Sequence, residues 1–154
     1  MSRTFTLEEA NALIPRVTAA LACSTQLLGR ARAGARRLME VGVRPSNPGG
    51  LPHPDDVTDP ALARDVIEVQ LMVEVAQQEA RRLEALGVTV TDLERGRVDF
   101  RSVLDGQREV ALCWELGETR IQTFHELAGG CVDRKPIGAH RFFGSRQLVP
   151  PQSN

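Results

Sequence analysis

The hydrophobic pattern of this chain changes its period once, near Gly87, and this change constrains the fold more than any other feature. Before Gly87, apolar residues recur every three to four positions, as they do along one face of an α-helix. After Gly87, apolar and polar residues alternate, which is typical of strands with one buried face. The sequence therefore predicts an α+β fold, in which a long antiparallel helical hairpin precedes a small antiparallel sheet of three or four strands.

Two helices are predicted, and a proline-rich loop joins them. The first covers about residues 7–40; it begins after a capping-box pattern at Thr6 and contains Pro15, where a kink is expected. Residues 43–58 carry four of the nine prolines, which indicates a loop. The second helix begins with Asp59 as its N-cap and Pro60 in its first turn, and it ends at about Leu86, before a glycine.

The length of 154 residues suits one domain with its own hydrophobic core and is too short for two large domains. We expect a single domain over residues 1–154. Its parts would be the helical hairpin over 5–86, the small sheet over 87–137 and a tail over 138–154 that shows no clear periodicity and frays at its end.

Composition and charge exclude several classes of protein. A formal net charge of -1 without a basic stripe argues against a nucleic-acid-binding protein. No apolar run approaches the roughly 18 residues that a membrane span needs, so no membrane contact is expected and the predicted location is the cytoplasm. The three cysteines, Cys23, Cys113 and Cys131, form neither a CxxC pair nor a disulfide framework, so we expect reduced thiols.

The second helix carries a wider apolar arc than packing against one helix requires. Beside its main stripe lies a shorter one formed by Ile67, Leu71 and Val75. The sheet and a second copy of the chain are the expected partners, which predicts a homodimer. If this arc instead binds another protein, the chain would be a protein-interaction module.

The face on which each strand residue lies depends on one turn assignment. A two-residue hairpin turn at residues 117–118 would pair Val110 with His125. This register predicts that His125 shares the apolar face of the sheet with Trp114, and that Cys113 lies on the opposite face.

His125 is the most informative polar residue in the sequence. It is either a structural histidine that is buried and neutral, or part of a pocket that binds a small anionic ligand or a divalent metal ion. In the second case, Glu118 or Glu126 would join it as metal ligands. The predicted ligand-binding residues are Trp114 as a wall, Glu118, His125, and the cations Arg134 and Lys135.

An alternative hypothesis is a small acid/base or metal-dependent enzyme of a specialised pathway. His125 would exchange the proton, with Glu126, Asp133 or Cys131 as a second catalytic group. Asp99 and Glu109 offer another acid/base pair, but carboxylates at polar strand positions are usually solvated. Reaction type and substrate do not follow from these residues.

Several segments resemble the bacterial family known as domain of unknown function twenty-two-oh-three. They are FTLEEANALIPRV, LGVTVTDLERGRVDF and VALCWELGE, followed by FHEL and RKPI, and the resemblance covers most of residues 5–137. It implies a helical hairpin leading into a compact C-terminal block, and no particular activity. A motif with Cys, Glu, His and Arg together implies a shared polar pocket. The matching motif positions are Asp99, Phe100, Leu112, Cys113, Trp114, Gly117, Glu118, His125, Arg134, Pro136 and Ile137.

Overall fold

The computed structural model describes residues 3–47 and 50–145, apart from the side chain of Cys131. The predicted tail therefore lies outside the described residues from position 146 onward. Both predicted helices are confirmed. Helix α1 is Leu7–Glu40 and runs without a break through Pro15, and helix α2 is Pro60–Ala85. A short 3₁₀ turn, Pro54–Asp56, lies in the loop between them.

The ends of both helices follow from local side-chain chemistry. Thr6 accepts a hydrogen bond from the Glu9 backbone N–H, and the Glu9 carboxylate accepts one from the Thr6 N–H, which completes the capping box. Asp59 caps α2 by accepting from the backbone N–H of Ala61. Each cap satisfies backbone donors that a helix start leaves without a partner, so these residues set where the helices begin.

The two helices pack closely against each other in an antiparallel arrangement. The Ser24 hydroxyl, which donates to the Ala20 carbonyl of its own helix at 2.9 Å, lies 3.4 Å from the Ala76 carbonyl of α2, and Gly34 faces Val69 farther along. A Cβ atom at Gly34 would lie 2.8 Å from the Val69 side chain, so only glycine permits this approach. Beyond it, the distal ends of the helices form a small apolar cluster of their own around Leu38 and Val66.

The sheet is antiparallel throughout, which confirms the α+β prediction. Four longer strands form its body in the order of the chain, and two two-residue strands extend it beyond the three or four that the sequence predicts. The last of these, Phe142–Phe143, pairs with the second strand, Arg97–Leu104, on the same edge as the first strand, Val88–Asp92. The strands are β1 Val88–Asp92, β2 Arg97–Leu104, β3 Arg108–Glu115, β4 Thr123–Glu126, β5 Lys135–Pro136 and β6 Phe142–Phe143.

One face of the sheet packs on the first half of α1 and forms the main core. Along β2, Val98, Phe100 and Leu104 are buried on this face, and the Phe5 ring meets Phe100 edge-on at 5.4 Å. Val17 of α1 belongs to the same cluster. Because side chains alternate along a strand, the residues between these apolar positions project from the other face of the sheet.

The predicted register between β3 and β4 is wrong by one residue. Leu112 pairs with Phe124 and Ala111 with His125, so the connection after Glu115 is a longer loop rather than a two-residue turn. The loop is longer because Ile121 contacts helix α1. Its backbone N–H donates to Asn11 Oδ1 at 2.9 Å, and its side chain is buried. His125 consequently lies on the face opposite the helices.

The stripe formed by Ile67, Leu71 and Val75 is not covered by the sheet. These side chains are 44%, 54% and 42% exposed. The other apolar stripe of α2 includes Val66 and Val69, which are buried where α2 packs against α1. The homodimer through the exposed stripe stays a prediction.

Asp105 attaches the chain before β6 to the turn between β2 and β3. Its carboxylate accepts from the Arg141 backbone N–H and contacts His140 Nδ1, each at 2.9 Å. The hydrogen bond from Arg141, followed by that from His140, lowers the pKa of the Asp105 carboxyl. The ionised form is therefore favoured in the folded protein.

We expect the stabilising effect of Asp105 to depend on pH, and Asp105→Asn tests this. A carboxyl with a lowered pKa stabilises the fold above its unfolded-state pKa of about 4, and this stabilisation is lost as the pH falls through the lower folded-state value. The wild type should exceed the variant in free energy of unfolding at pH 6, and the difference should shrink in acid. Urea unfolding from pH 7 to pH 2 measures it; a difference that grows in acid would contradict the assignment.

Candidate metal centre

Three potential ligands meet on the face of the sheet that points away from the helices. Asp99 lies on β2 directly opposite Cys113 of β3, and His125 lies on β4 opposite Ala111. Directly opposed residues project from the same face, so all these side chains share it. Because Ala111 has only a methyl group, the imidazole of His125 can extend over it and reach Asp99.

Both ring nitrogens of His125 contact oxygen atoms. Nε2 lies 2.9 Å from Asp99 Oδ2, and Nδ1 lies 2.8 Å from the backbone carbonyl oxygen of Glu126. A carbonyl oxygen can only accept, so Nδ1 carries a proton and donates it. This hydrogen bond fixes the ring orientation and directs Nε2 toward the carboxylate.

The site is buried and holds an unpartnered polar atom. Cys113 is fully buried, His125 is 3% exposed, and the Asp99 side chain is 14% exposed. Asp99 Oδ1 is itself buried and has no hydrogen-bond partner among the described residues. Burying a carboxylate oxygen without a donor or a cation is costly, so a positive or proton-bearing group at this atom would be stabilising.

The spacing and chemistry of the three groups suit a metal ion. One oxygen of Asp99, the sulfur of Cys113 and one nitrogen of His125 all lie within 4.8 Å of one another. In a tetrahedral zinc site, ligand atoms about 2.0–2.3 Å from the ion lie about 3.3–3.6 Å apart, so modest side-chain rotations would close the group. Thiolate, imidazole and carboxylate are all zinc ligands, and this buried group could therefore hold a metal.

The contact between His125 and the Glu126 carbonyl adds a feature that metal sites commonly have. A histidine that binds an ion through one ring nitrogen usually donates the other N–H to a carboxylate or backbone carbonyl. Here that donor is Nδ1, which leaves Nε2 as the ligand atom. The backbone of β4 thus holds the imidazole in the orientation that an ion at Asp99 would require.

Arginine–glutamate pairs flank the three ligands on both sides. Arg97 and Glu115 lie 3.5 Å apart, and Arg101 and Glu109 lie 3.6 Å apart. Arg97 and Arg101 are two residues before and two residues after Asp99 on β2, so both pairs share its face. Each pair joins one positive and one negative group, so neither adds net charge beside the site.

The family comparison decides the membership of the chain. Residues 3–137 match the family described as "Uncharacterized conserved protein (DUF2203)". The chain belongs to this family. The match includes both helices and all three potential ligands, and it confirms the resemblance seen in the sequence. Comparisons with curated proteins and with solved structures find no match.

The predicted wall of the pocket lies elsewhere. Trp114 is buried on the helix-facing side of the sheet, and its Nε1 donates to the Glu118 carbonyl at 3.0 Å. The prediction that Trp114 and His125 share a face is wrong, because the register of β4 differs by one residue. Cys113, placed by the same prediction on the other face from His125, shares the face of His125 instead.

The structure does not bring the predicted acidic ligands into the group. The Glu118 carboxylate lies 3.6 Å from Arg134. The Glu126 carboxylate lies 2.7 Å from Arg108 and 3.6 Å from Lys135, and the hydrogen bond from Arg108 lowers the pKa of Glu126. Glu126 contacts the imidazole of His125 through its backbone carbonyl oxygen, while its carboxylate pairs with these cations.

The remaining predicted residues lie in the 3₁₀ turn Gly130–Asp133, which follows β4. Asp133 is exposed and approaches Gly129. The backbone of Cys131 belongs to this turn, whereas its side chain lies outside what the structure describes. None of the helices in the described ranges is long and apolar enough to cross a membrane.

Two of the three potential ligands, Asp99 and Cys113, were not assigned to the site of His125 by the sequence. The strand pattern favours a solvated carboxylate at Asp99, and the predicted register puts Cys113 on the wrong face. The turn between β2 and β3 contains three residues, since Leu104 pairs with Arg108, and this pairing sets Asp99 opposite Cys113. The Asp-Phe and Leu-Cys-Trp segments of the family motif carried the available signal.

Proposed function

We propose that this protein binds one transition-metal ion, with Zn²⁺ as the first candidate, through Asp99 Oδ1 or Oδ2, Cys113 Sγ and His125 Nε2. One observation carries the proposal: the backbone fixes Nδ1 of His125 as a donor, so that Nε2 points at a buried carboxylate with an unpartnered oxygen. A cation at this point would interact with both groups and with the adjacent thiol.

Charge balance supports a divalent ion. A carboxylate and a thiolate supply two negative charges, so the loaded group is neutral and its burial costs little. Without an ion, the same neutrality requires protons on the sulfur and between Asp99 and His125. Because thiolate favours Zn²⁺, Cu⁺ and iron over Mg²⁺ and Ca²⁺, the cysteine restricts the choice of metal.

The geometry favours metal binding over a cysteine nucleophile. A nucleophilic thiol needs an adjacent base, and in a catalytic triad the third group orients that base from its other nitrogen. In this site, the carboxylate and a carbonyl already contact the two nitrogens of His125, at 2.9 and 2.8 Å. His125 therefore suits the role of a ligand better than that of a base for Cys113.

Titration of the metal-free protein with Co²⁺ tests the proposal. We expect one ion per chain, with the sulfur-to-cobalt charge-transfer absorption of a thiolate ligand and the visible bands of a tetrahedral site. Cys113→Ser should lose the charge-transfer absorption, and His125→Gln should lower the affinity by more than about 10-fold, since changes outside the ligand set already cost 10–100-fold.

Two variants serve as matched controls. Cys23→Ser removes an exposed cysteine on α1. His140→Gln removes a histidine that also lies 2.9 Å from an aspartate, but on the exposed surface. Both should bind Co²⁺ as the wild type does. Absence of stoichiometric binding in the wild type, or equal loss in the controls, would refute the site.

A further inference from the structure

A second buried oxygen without a partner lies beside the proposed metal site. Thr123 is the direct cross-strand partner of Cys113 and precedes His125 by two residues, so it shares their face of the sheet. The Thr123 hydroxyl oxygen is buried and has no hydrogen-bond partner among the described residues. The unpartnered Asp99 Oδ1 flanks Cys113 from β2, and Thr123 flanks it from β4.

The ligand group is one short of a complete tetrahedral set. Only Asp99, Cys113 and His125 combine in the part of the chain that the structure describes. Sites that use three protein ligands leave a fourth position for water or another small molecule. A neutral hydroxyl does not belong to the usual zinc ligands, but it can both donate and accept a hydrogen bond.

We propose that the fourth position takes a small exogenous ligand, water or a monoanion of a few atoms, and that the Thr123 hydroxyl hydrogen-bonds to it. This inference rests on the proposed metal site. Thr123 would be a positioning residue, because it holds the ligand rather than the ion.

Burial restricts the size of that ligand. Cys113 is fully buried and His125 nearly so, and among the three ligands Asp99 is the most accessible to solvent. We therefore expect a molecule to approach at Asp99, whose neighbours on β2 form the two arginine–glutamate pairs. The burial of the other two groups favours water or a small linear anion over a large substrate.

Azide titration of the cobalt-loaded protein tests the inference. We expect a saturable change in the visible absorption of the wild type. Thr123→Val keeps the shape of the side chain but removes the hydroxyl, and it should weaken azide binding by about 3- to 10-fold, the effect of one hydrogen bond. Thr123→Ser keeps the hydroxyl and should retain most of the affinity.

The possible results separate the two proposals. A thiolate-to-cobalt band without any response to azide would overturn the open fourth position and leave the metal site standing. Azide binding with equal affinity in the wild type and Thr123→Val would overturn the role of Thr123. Absence of the cobalt band in the wild type would overturn the metal site and this inference with it.

Discussion

His125→Ala is expected to lower the free energy of unfolding of the metal-free protein by about 3–5 kcal/mol, the usual cost of removing one partner from a buried ion pair. The substitution removes the His125 contact of Asp99 Oδ2, at 2.9 Å, from a carboxylate whose other oxygen, Oδ1, is already buried without a partner among the described residues. Denaturant unfolding in the presence of a chelator measures this loss.

A double-mutant cycle separates the pair from the cavity that alanine leaves. Asp99→Ala combined with His125→Ala should cost clearly less than the sum of the two single variants, because it removes both partners of the buried pair. His140→Ala, which breaks the exposed pair with Asp105, should have a much smaller effect. Additive single effects, or equal losses at His125 and His140, would contradict a coupled buried pair.

Stability is expected to rise with the concentration of free metal. A ligand that binds only the folded state adds about 1.4 kcal/mol for each tenfold increase above its dissociation constant, and about 4 kcal/mol at 1,000 times that value. Unfolding at buffered Zn²⁺ concentrations should show this slope in the wild type. The same experiment should give a nearly flat line for Cys113→Ser.

Cys23→Ser is the control for this second prediction, because Cys23 is exposed on α1, away from the proposed site. It should follow the wild-type slope. A wild-type stability that does not change with free Zn²⁺ would mean that the folded chain does not bind the ion.

The helices were predictable because local chemistry determines their ends. The Thr6–Glu9 capping box and the Asp59 cap provide partners for the free backbone donors of a helix start, and Pro60 has no backbone N–H there. These patterns span only a few residues of sequence. The change to alternation after Gly87 likewise identified the sheet. No long-range information was needed for either.

The register of β4 was not predictable in the same way. The glycine at position 117 suggested a tight hairpin, but the loop is longer because Ile121 is held by Asn11, 110 residues earlier in the chain. A contact between residues so far apart in the chain cannot be recognised from the sequence around either residue. A shift of one residue exchanges the two faces of a strand, so this register decides the environment of His125.

The candidate site was therefore predictable only in part. The sequence singles out His125, while its assignment of Trp114 and the Glu126 carboxylate to the site is wrong and it gives Asp99 no role there. A carboxylate between apolar strand residues has the same sequence pattern whether water or a histidine covers it. Only the pairing of three strands shows that Asp99 is opposite Cys113 and within reach of His125.

The three proposed ligands come from three consecutive strands, with one on each. A slip of one residue between β3 and β4 would turn His125 to the opposite face from Cys113, and a single ion could not bind both. The free energy of the proposed metal binding would thus be available only to the correctly paired sheet. The ion would therefore stabilise one register of β4 over the other pairings that a short four-residue strand could adopt.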